Sequence, residues 1–154
     1  MRKQKGFSLI ELLIVVAIIL IIAAIAIPNL IKSKMAANEA SAVGSIRTIN
    51  TGEVNYAASC PNVGFSLQLS HLNTGGCVAG AGIIDAVLGA GAKSGYTFTE
   101  VGVPGADLLN DTYTATAVPA APGTTGTRYF FSDQTGVIRY GLNSAATVAS
   151  SPLQ

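Results

Sequence analysis

Sixteen consecutive apolar side chains, residues 12–27 (LLIVVAIILIIAAIAI), constrain this chain more than any other feature. Extended back over Leu9, Ile10 and Glu11, the stretch has 19 positions and a single charge. At a helical rise of about 1.5 Å per residue it spans roughly 28 Å, close to the hydrocarbon thickness of a bilayer. It is too long for a strand in a soluble core. A helix apolar on every side must be buried on every side, in lipid or in a bundle of other helices.

The stretch also explains the composition. Hydrophobic residues make up 49% of the 154 and charged residues only 11%, against about 25% charged in a typical soluble domain. The length suits one modest domain, and the apolar content excludes an intrinsically disordered chain. Net charge is +1, but the basic character sits at the start. Residues 1–6 (MRKQKG) hold Arg2, Lys3 and Lys5 and no acid, leaving six basic and eight acidic side chains in the rest. Such a balance gives no electrostatic footprint for nucleic acid, and none is expected as a partner. The basic start, with only Lys32 and Lys34 at the far end of the apolar run, orients the segment with its N-terminus in the cytoplasm and the remainder outside.

An ordinary secretory signal peptide shares the basic start, and Ala24-Ile25-Ala26 fits its cleavage pattern. Two features oppose that reading. The apolar run is longer than a usual signal core, and Glu11 stands at its beginning. An acid at membrane depth costs on the order of 2–3 kcal/mol, so an intramembrane carboxylate is a functional candidate.

Residues 6–11, Gly-Phe-Ser-Leu-Ile-Glu, followed in register by the apolar run, resemble the N-terminus of type IV pilins and pseudopilins, and the short basic leader is most similar to that of a type IVa pilin precursor. The resemblance is detailed over residues 1–59 and architectural beyond. It implies cleavage between Gly6 and Phe7 by a prepilin peptidase, N-methylation of Phe7, and a role in filament assembly for Glu11. The chemistry is consistent. Glycine before the cut presents backbone without a side chain. Cleavage removes the three basic residues and creates one α-ammonium about a helical turn from Glu11. Two charges that are each costly in lipid become less so when paired, between neighbouring subunits or within one chain.

Pro28 removes a helical hydrogen bond to Ala24 and clashes there. It either ends the helix or kinks a longer one. The proline-free, helix-permissive stretch after residue 36 favours the kink, as does the curved helix of the resembling family. Met35, Ala42, Val43, Ile46, Ile49 and Ala57 recur at helical spacing, with Lys32, Lys34, Glu39, Arg47 and Glu53 at polar positions. Gly44 and Gly52 mark close approach to the sheet or local flexibility. A helix over residues 7–58 would be about 78 Å long, so its outer half must pack on something.

Residues 60–94 are glycine-rich, with short helical pieces expected at 65–72 and 82–89. Cys60 and Cys77 bracket the first. On the exported side they are expected to form a disulfide, the alternative being two free thiols. Strands are expected at 95–101, 112–118, 127–132 and 137–142, rich in Thr, Tyr, Phe and Val. Residues 133–136 form a turn between the last two, with Gly136 at positive φ. Residues 143–154 read as a frayed or edge-lying tail. The fold class is therefore α+β and pilin-like, a long N-terminal helix whose outer half packs on a roughly four-stranded antiparallel sheet. The expected segments are a leader at 1–6, a transmembrane and filament-core helix at 7–30, its amphipathic continuation at 31–59, and a globular head at 60–154.

No enzyme constellation is present. His71 has no triad partner pattern, and no phosphate-binding glycine motif precedes a Lys-Ser/Thr. Asp107, Asp111 and Asp133 lack the ligand density of a calcium loop, so no metal and no cofactor are expected. Asn110-Asp111-Thr112 fits a glycosylation sequon weakly in a bacterial export context.

The resemblance implies a type IV pilus subunit, inserted as a single-pass inner-membrane precursor and polymerised into an extracellular helical filament for adhesion, motility or DNA uptake. Its partners would be identical subunits, membrane lipid before assembly, the prepilin peptidase, and an inner-membrane platform with an assembly ATPase. A type II secretion pseudopilin is the alternative within the family; a secreted binding domain released from a signal peptide is the alternative outside it.

Overall fold

The computed structural model describes residues 6–73, 77, 82–106, 109–142 and 144–153. Helix α1 (Leu9–Ser59) is followed by two short helices, α2 (Leu69–Asn73) and α3 (Ala86–Gly89). Six strands follow: β1 (Ala92–Lys93), β2 (Tyr96–Pro104), β3 (Asn110–Pro119), β4 (Arg128–Asp133), β5 (Arg139–Leu142) and β6 (Ser151–Pro152). All pair antiparallel in sequence order, so the sheet is a meander. The chain divides into two compact units, Met1–Lys34 and Met35–Gln154.

In the first unit α1 begins at Leu9 and runs through Pro28 instead of ending there. Proline lacks the N–H that would bond the carbonyl four residues back. The next residue adds a local bond: the Asn29 side-chain amide donates to the Ile25 carbonyl at 3.0 Å.

The second unit is built on the α1 stripe. Ala42, Ile46, Ile49 and Tyr56 are buried, and they join Leu69, Leu72, Ile84 and Leu88 in one core with the inner face of the sheet. That face follows the two-residue period of a half-buried strand. Tyr96, Phe98 and Glu100 of β2 point inward, while Thr97, Thr99 and Val101 face out. Tyr113, Ala115 and Ala117 of β3 and Phe130 of β4 complete the buried layer. Small alanines at the centre of β3 leave room for the helix.

Two acids placed at polar helix positions by the sequence pattern are buried instead. Glu39 accepts the Thr127 and Arg128 backbone N–H groups at 2.8 and 3.2 Å, and its other oxygen meets Arg128 Nε at 2.7 Å. The Arg128 guanidinium in turn lies 5.6 Å from the Phe130 ring centre and 5.9 Å from that of Tyr140. Burial alone would raise the Glu39 pKa, but the Thr127 and Arg128 donors outweigh it and hold the carboxyl below its ordinary value of 4.5. The second acid, Glu53, is fully buried.

The expected helical piece at 65–72 is shortened to Leu69–Asn73 because the residues before it are bridged to the sheet. Gly64 bridges to Asn110 and Gln68 to Val101. Their close passage fixes Gly102, where any Cβ would overlap the Ser66 carbonyl. The piece at 82–89 is reduced to Ala86–Gly89, capped by the Asp85 carboxylate on Leu88 N at 2.9 Å. Gly52 approaches Ile83, Ile84 and Leu72, not the sheet, while Gly44 faces open space. The four expected strands are β2 to β5. The edge pieces β1 and β6 have two residues each, too short for a sequence pattern; β6 pairs the tail to β5. Gly136 has φ 71°, as its turn requires. Cys60 and Cys77 form a disulfide with Cα atoms 5.9 Å apart.

Two stability predictions follow from these ties. Cys60→Ser should lower unfolding free energy by roughly 3 kcal/mol in the chain-entropy picture, read from the urea midpoint by tyrosine fluorescence. Glu39→Gln should lower it by about 1.5–3 kcal/mol near neutral pH, because several charge-assisted bonds weaken together. A depressed folded pKa stabilises above the unfolded value and is lost as pH falls through the folded one. Wild-type protein should therefore lose stability below about pH 4.5, and the variant should lack that component.

Candidate processing and assembly site

Residues 6–8, just before α1, are not helical. Gly6, Phe7 and Ser8 are exposed, and Phe7 retains 83% of its accessible surface. Nothing lies within 4 Å of where a Gly6 Cβ would stand. The fold itself therefore makes no demand for glycine at this position. The Gly6–Phe7 peptide bond sits in exposed, non-helical backbone, open to a peptidase. Arg2, Lys3 and Lys5 lie outside the described residues.

Glu11 does local work at the helix start. Its Oε2 accepts the Ser8 backbone N–H at 2.9 Å, and Leu12 N donates to the Ser8 carbonyl at 3.2 Å as the first helical bond. Ser8 is thus the N-cap, and Glu11, three residues on, reaches back to it in the manner of a capping-box acid. The carboxylate also lies in the first turn, where the helix dipole favours negative charge.

Beyond Glu11 the helix surface is apolar and uncovered. Ile14, Ile18, Ile21 and Ile25 all keep half or more of their surface exposed, and no residue of the most apolar window is buried by the chain. The described residues thus include one helix long and apolar enough to cross a membrane.

Other expected positions are structural. Asn110 is buried, with its amide donating to the Phe65 carbonyl at 2.8 Å, so the sequon asparagine is used inside the fold. His71 lies beside the Gln68 amide, 3.1 Å away. Asp133 accepts from Thr135 N and Oγ1 within its turn, and Asp107 lies outside the described residues. Among those residues no three His, Cys, Asp or Glu side chains gather as metal ligands.

Residues 1–27 match the family model of the prokaryotic N-terminal methylation motif. Two curated relatives extend the match. The type IV wide pilus major component of Thermus thermophilus is 62% identical over 39 residues, 25% of this chain and 30% of that protein. The type IV major pilin protein of Myxococcus xanthus is 44% identical over 54 residues, 35% of this chain and 24% of that protein.

Over these N-terminal residues the chain is similar to type IV pilins. The matches span under a third of either relative's length, and no solved structure gives a significant match. The α+β arrangement of a long N-terminal helix and an antiparallel sheet is pilin-like.

Two features of this chain escaped the sequence reading. The Ser8-x-x-Glu11 spacing is itself a capping-box signature, legible in residues 8–11. Glu53 falls on the helical period of Ile46, Ile49 and Tyr56, and Glu100 shares strand parity with Tyr96 and Phe98; both positions foretold burial.

Glu11→Ala in the full-length chain in detergent micelles should free the Ser8 amide. Its hydrogen exchange should rise by about 2- to 30-fold, the range set by loss of a helix cap, while exchange in β3 stays unchanged.

Proposed function

We propose that this chain is the precursor of a type IV pilus subunit. The carrying observation is the uncovered apolar helix headed by one capped acid and preceded by an open glycine-phenylalanine bond. In this reading residues 1–6 are a leader, cut after Gly6 by a prepilin peptidase at the cytoplasmic face, and Phe7 is then N-methylated. Residues 7–30 hold the precursor in the inner membrane with its N-terminus in the cytoplasm. The relatives are major pilus components, which supports a pilus subunit over a secretion pseudopilin.

The energetics follow from the bilayer. Apolar side chains leave lipid only for an equally apolar environment, so extraction by an inner-membrane platform and its ATPase has to be coupled to entry into a bundle of identical helices. The new α-ammonium at Phe7 and the Glu11 carboxylate each oppose burial alone and offset one another when paired. After cleavage Glu11 can exchange its Ser8 bond for the amine of an incoming subunit. Pro28, at the far end of the apolar run, weakens the helix where it leaves the core. The finished filament stands on the cell surface and serves adhesion, motility or DNA uptake.

Substitutions separate the two steps. Gly6→Val should leave the leader attached and abolish surface filaments, with the tyrosine fluorescence of the folded chain unchanged. Glu11→Ala should be cut and methylated normally, yet yield at least about ten-fold fewer filaments, given the few kcal/mol an unpaired charge costs in an apolar bundle. Normal filament yield from Glu11→Ala would sink the assembly role. Filaments built from uncut Gly6→Val chains would sink the processing step.

A further inference from the structure

Three side chains from three elements meet in the core of the second unit. Glu53 of α1 and Ser66 of the crossing segment are fully buried, and Glu100 of β2 is 3% exposed. Ser66 Oγ lies 2.7 Å from Glu53 Oε1 and 2.8 Å from Glu100 Oε2, with the Gln68 carbonyl at 3.3 Å. Ser66 N donates to Glu53 Oε2 at 2.9 Å.

Proton counting decides what this arrangement holds. A serine hydroxyl has one hydrogen to give, and an ionised carboxylate can only accept. Two ionised carboxylates at hydrogen-bond distance from one hydroxyl would leave one contact with no proton in it. Both contacts are hydrogen bonds only if one carboxyl is protonated and donates to Ser66 Oγ. Glu53 is the natural anion, since it receives both the Ser66 amide and the hydroxyl. Glu100 is the natural acid, since its Oε1 is buried and no described residue bonds to it. The order is Glu100 Oε2–H to Ser66 Oγ, and Ser66 Oγ–H to Glu53 Oε1.

We propose that Glu53, Ser66 and Glu100 form a one-proton latch that fastens α1 and the crossing segment to β2 at neutral pH and loosens as pH rises. Among the described residues no cation pairs with either carboxyl. α1 contributes Glu53 and the neutral Asn50; the crossing segment contributes Ser66 and Gln68. β3 presents Tyr113, whose hydroxyl donates to Asn50 Oδ1 at 3.1 Å, and whose pKa is pushed up by burial and by Glu53, Asp133 and Glu100. β4 presents Asp133. α2 carries His71, held beside Gln68. The ion pairs among the described residues, Lys93–Asp85 and Arg128–Glu39, involve neither member of the pair. Burial raises both carboxyls, and with the Glu53 charge added it pushes Glu100 up to about 8.

The sign follows from linkage. In the unfolded chain Glu100 loses its proton near its ordinary 4.5, and in the folded chain it keeps it to about 8. The folded state binds more protons across that window, so stability falls as pH rises through it. Above it two anions flank one hydroxyl, and the crossing segment at 64–68 is the part free to yield.

The test uses the full chain in detergent micelles. Infrared spectroscopy at pH 7 should show a protonated carboxylic acid C=O band that Glu100→Gln removes. All five tyrosines lie at residue 56 or beyond, so tyrosine fluorescence reports urea unfolding of the second unit. The wild-type midpoint should fall from pH 5 to pH 9, and that of Glu100→Gln should stay level and exceed wild type at pH 9. Absence of the acid band at pH 7 overturns the latch, as does a midpoint slope that persists in Glu100→Gln. Loss of the band on adding calcium chloride also overturns it, in favour of a cation between the carboxylates. If Glu100→Gln does not fold, the wild-type spectrum decides alone.

Discussion

A helix with apolar side chains all round cannot find its cover within a chain of this size, and the rest of the design depends on that. Residues 12–27 are exposed along every face of the first unit. Their burial has to come from lipid or from other copies, and the hydrophobic effect makes either environment acceptable and water unacceptable. In the proposed function the same segment passes from lipid to a bundle of identical helices without refolding. The single acid at the head of the run is the exception that gives this otherwise uniform surface an address. Here it is occupied in capping its own helix.

The second unit solves a different problem, that of holding a helix on a sheet. Alanines at 42, 115 and 117 let the two layers approach closely. Polar groups then fix the register. Glu39 gathers the start of β4, Asn50 links to Ser132 and Tyr113, and Glu53 reaches β2 through Ser66. Buried acids are costly unless fully bonded. Glu39 meets the condition with backbone donors and an arginine, Glu53 with the amide and hydroxyl of Ser66, and Glu100 lowers the cost by keeping its proton. The disulfide ties the residue directly after the helix to the following loop.

Much of this was legible in the sequence, for identifiable reasons. The apolar run and the residues before it are dense in local signal, and the β-branched and aromatic clusters mark β2 to β5. Helical spacing located Ala42, Ile46 and Ile49 on the packed face. The pattern failed where burial depends on distant partners. The acids at 39 and 53 read as solvated by residue type, although 53 shares the period of the packed face, because the groups that bond them, Arg128 and Ser66, lie outside the helix. The course of residues 64–68 is likewise set by pairing to β2 and β3, because their own composition permits a helix. The two-residue edge strands carry no period at all.

The account's central claim is that this chain leaves the membrane as a processed filament subunit. Intact mass with N-terminal fragmentation, on protein sheared from the surface of the native cell, tests it most directly. The account predicts a polypeptide that begins at Phe7 with one added methyl group and lacks two hydrogens for the Cys60–Cys77 bridge. A soluble polypeptide beginning at Ile27, with none in the sheared filaments, would contradict it and leave only the fold of the second unit standing.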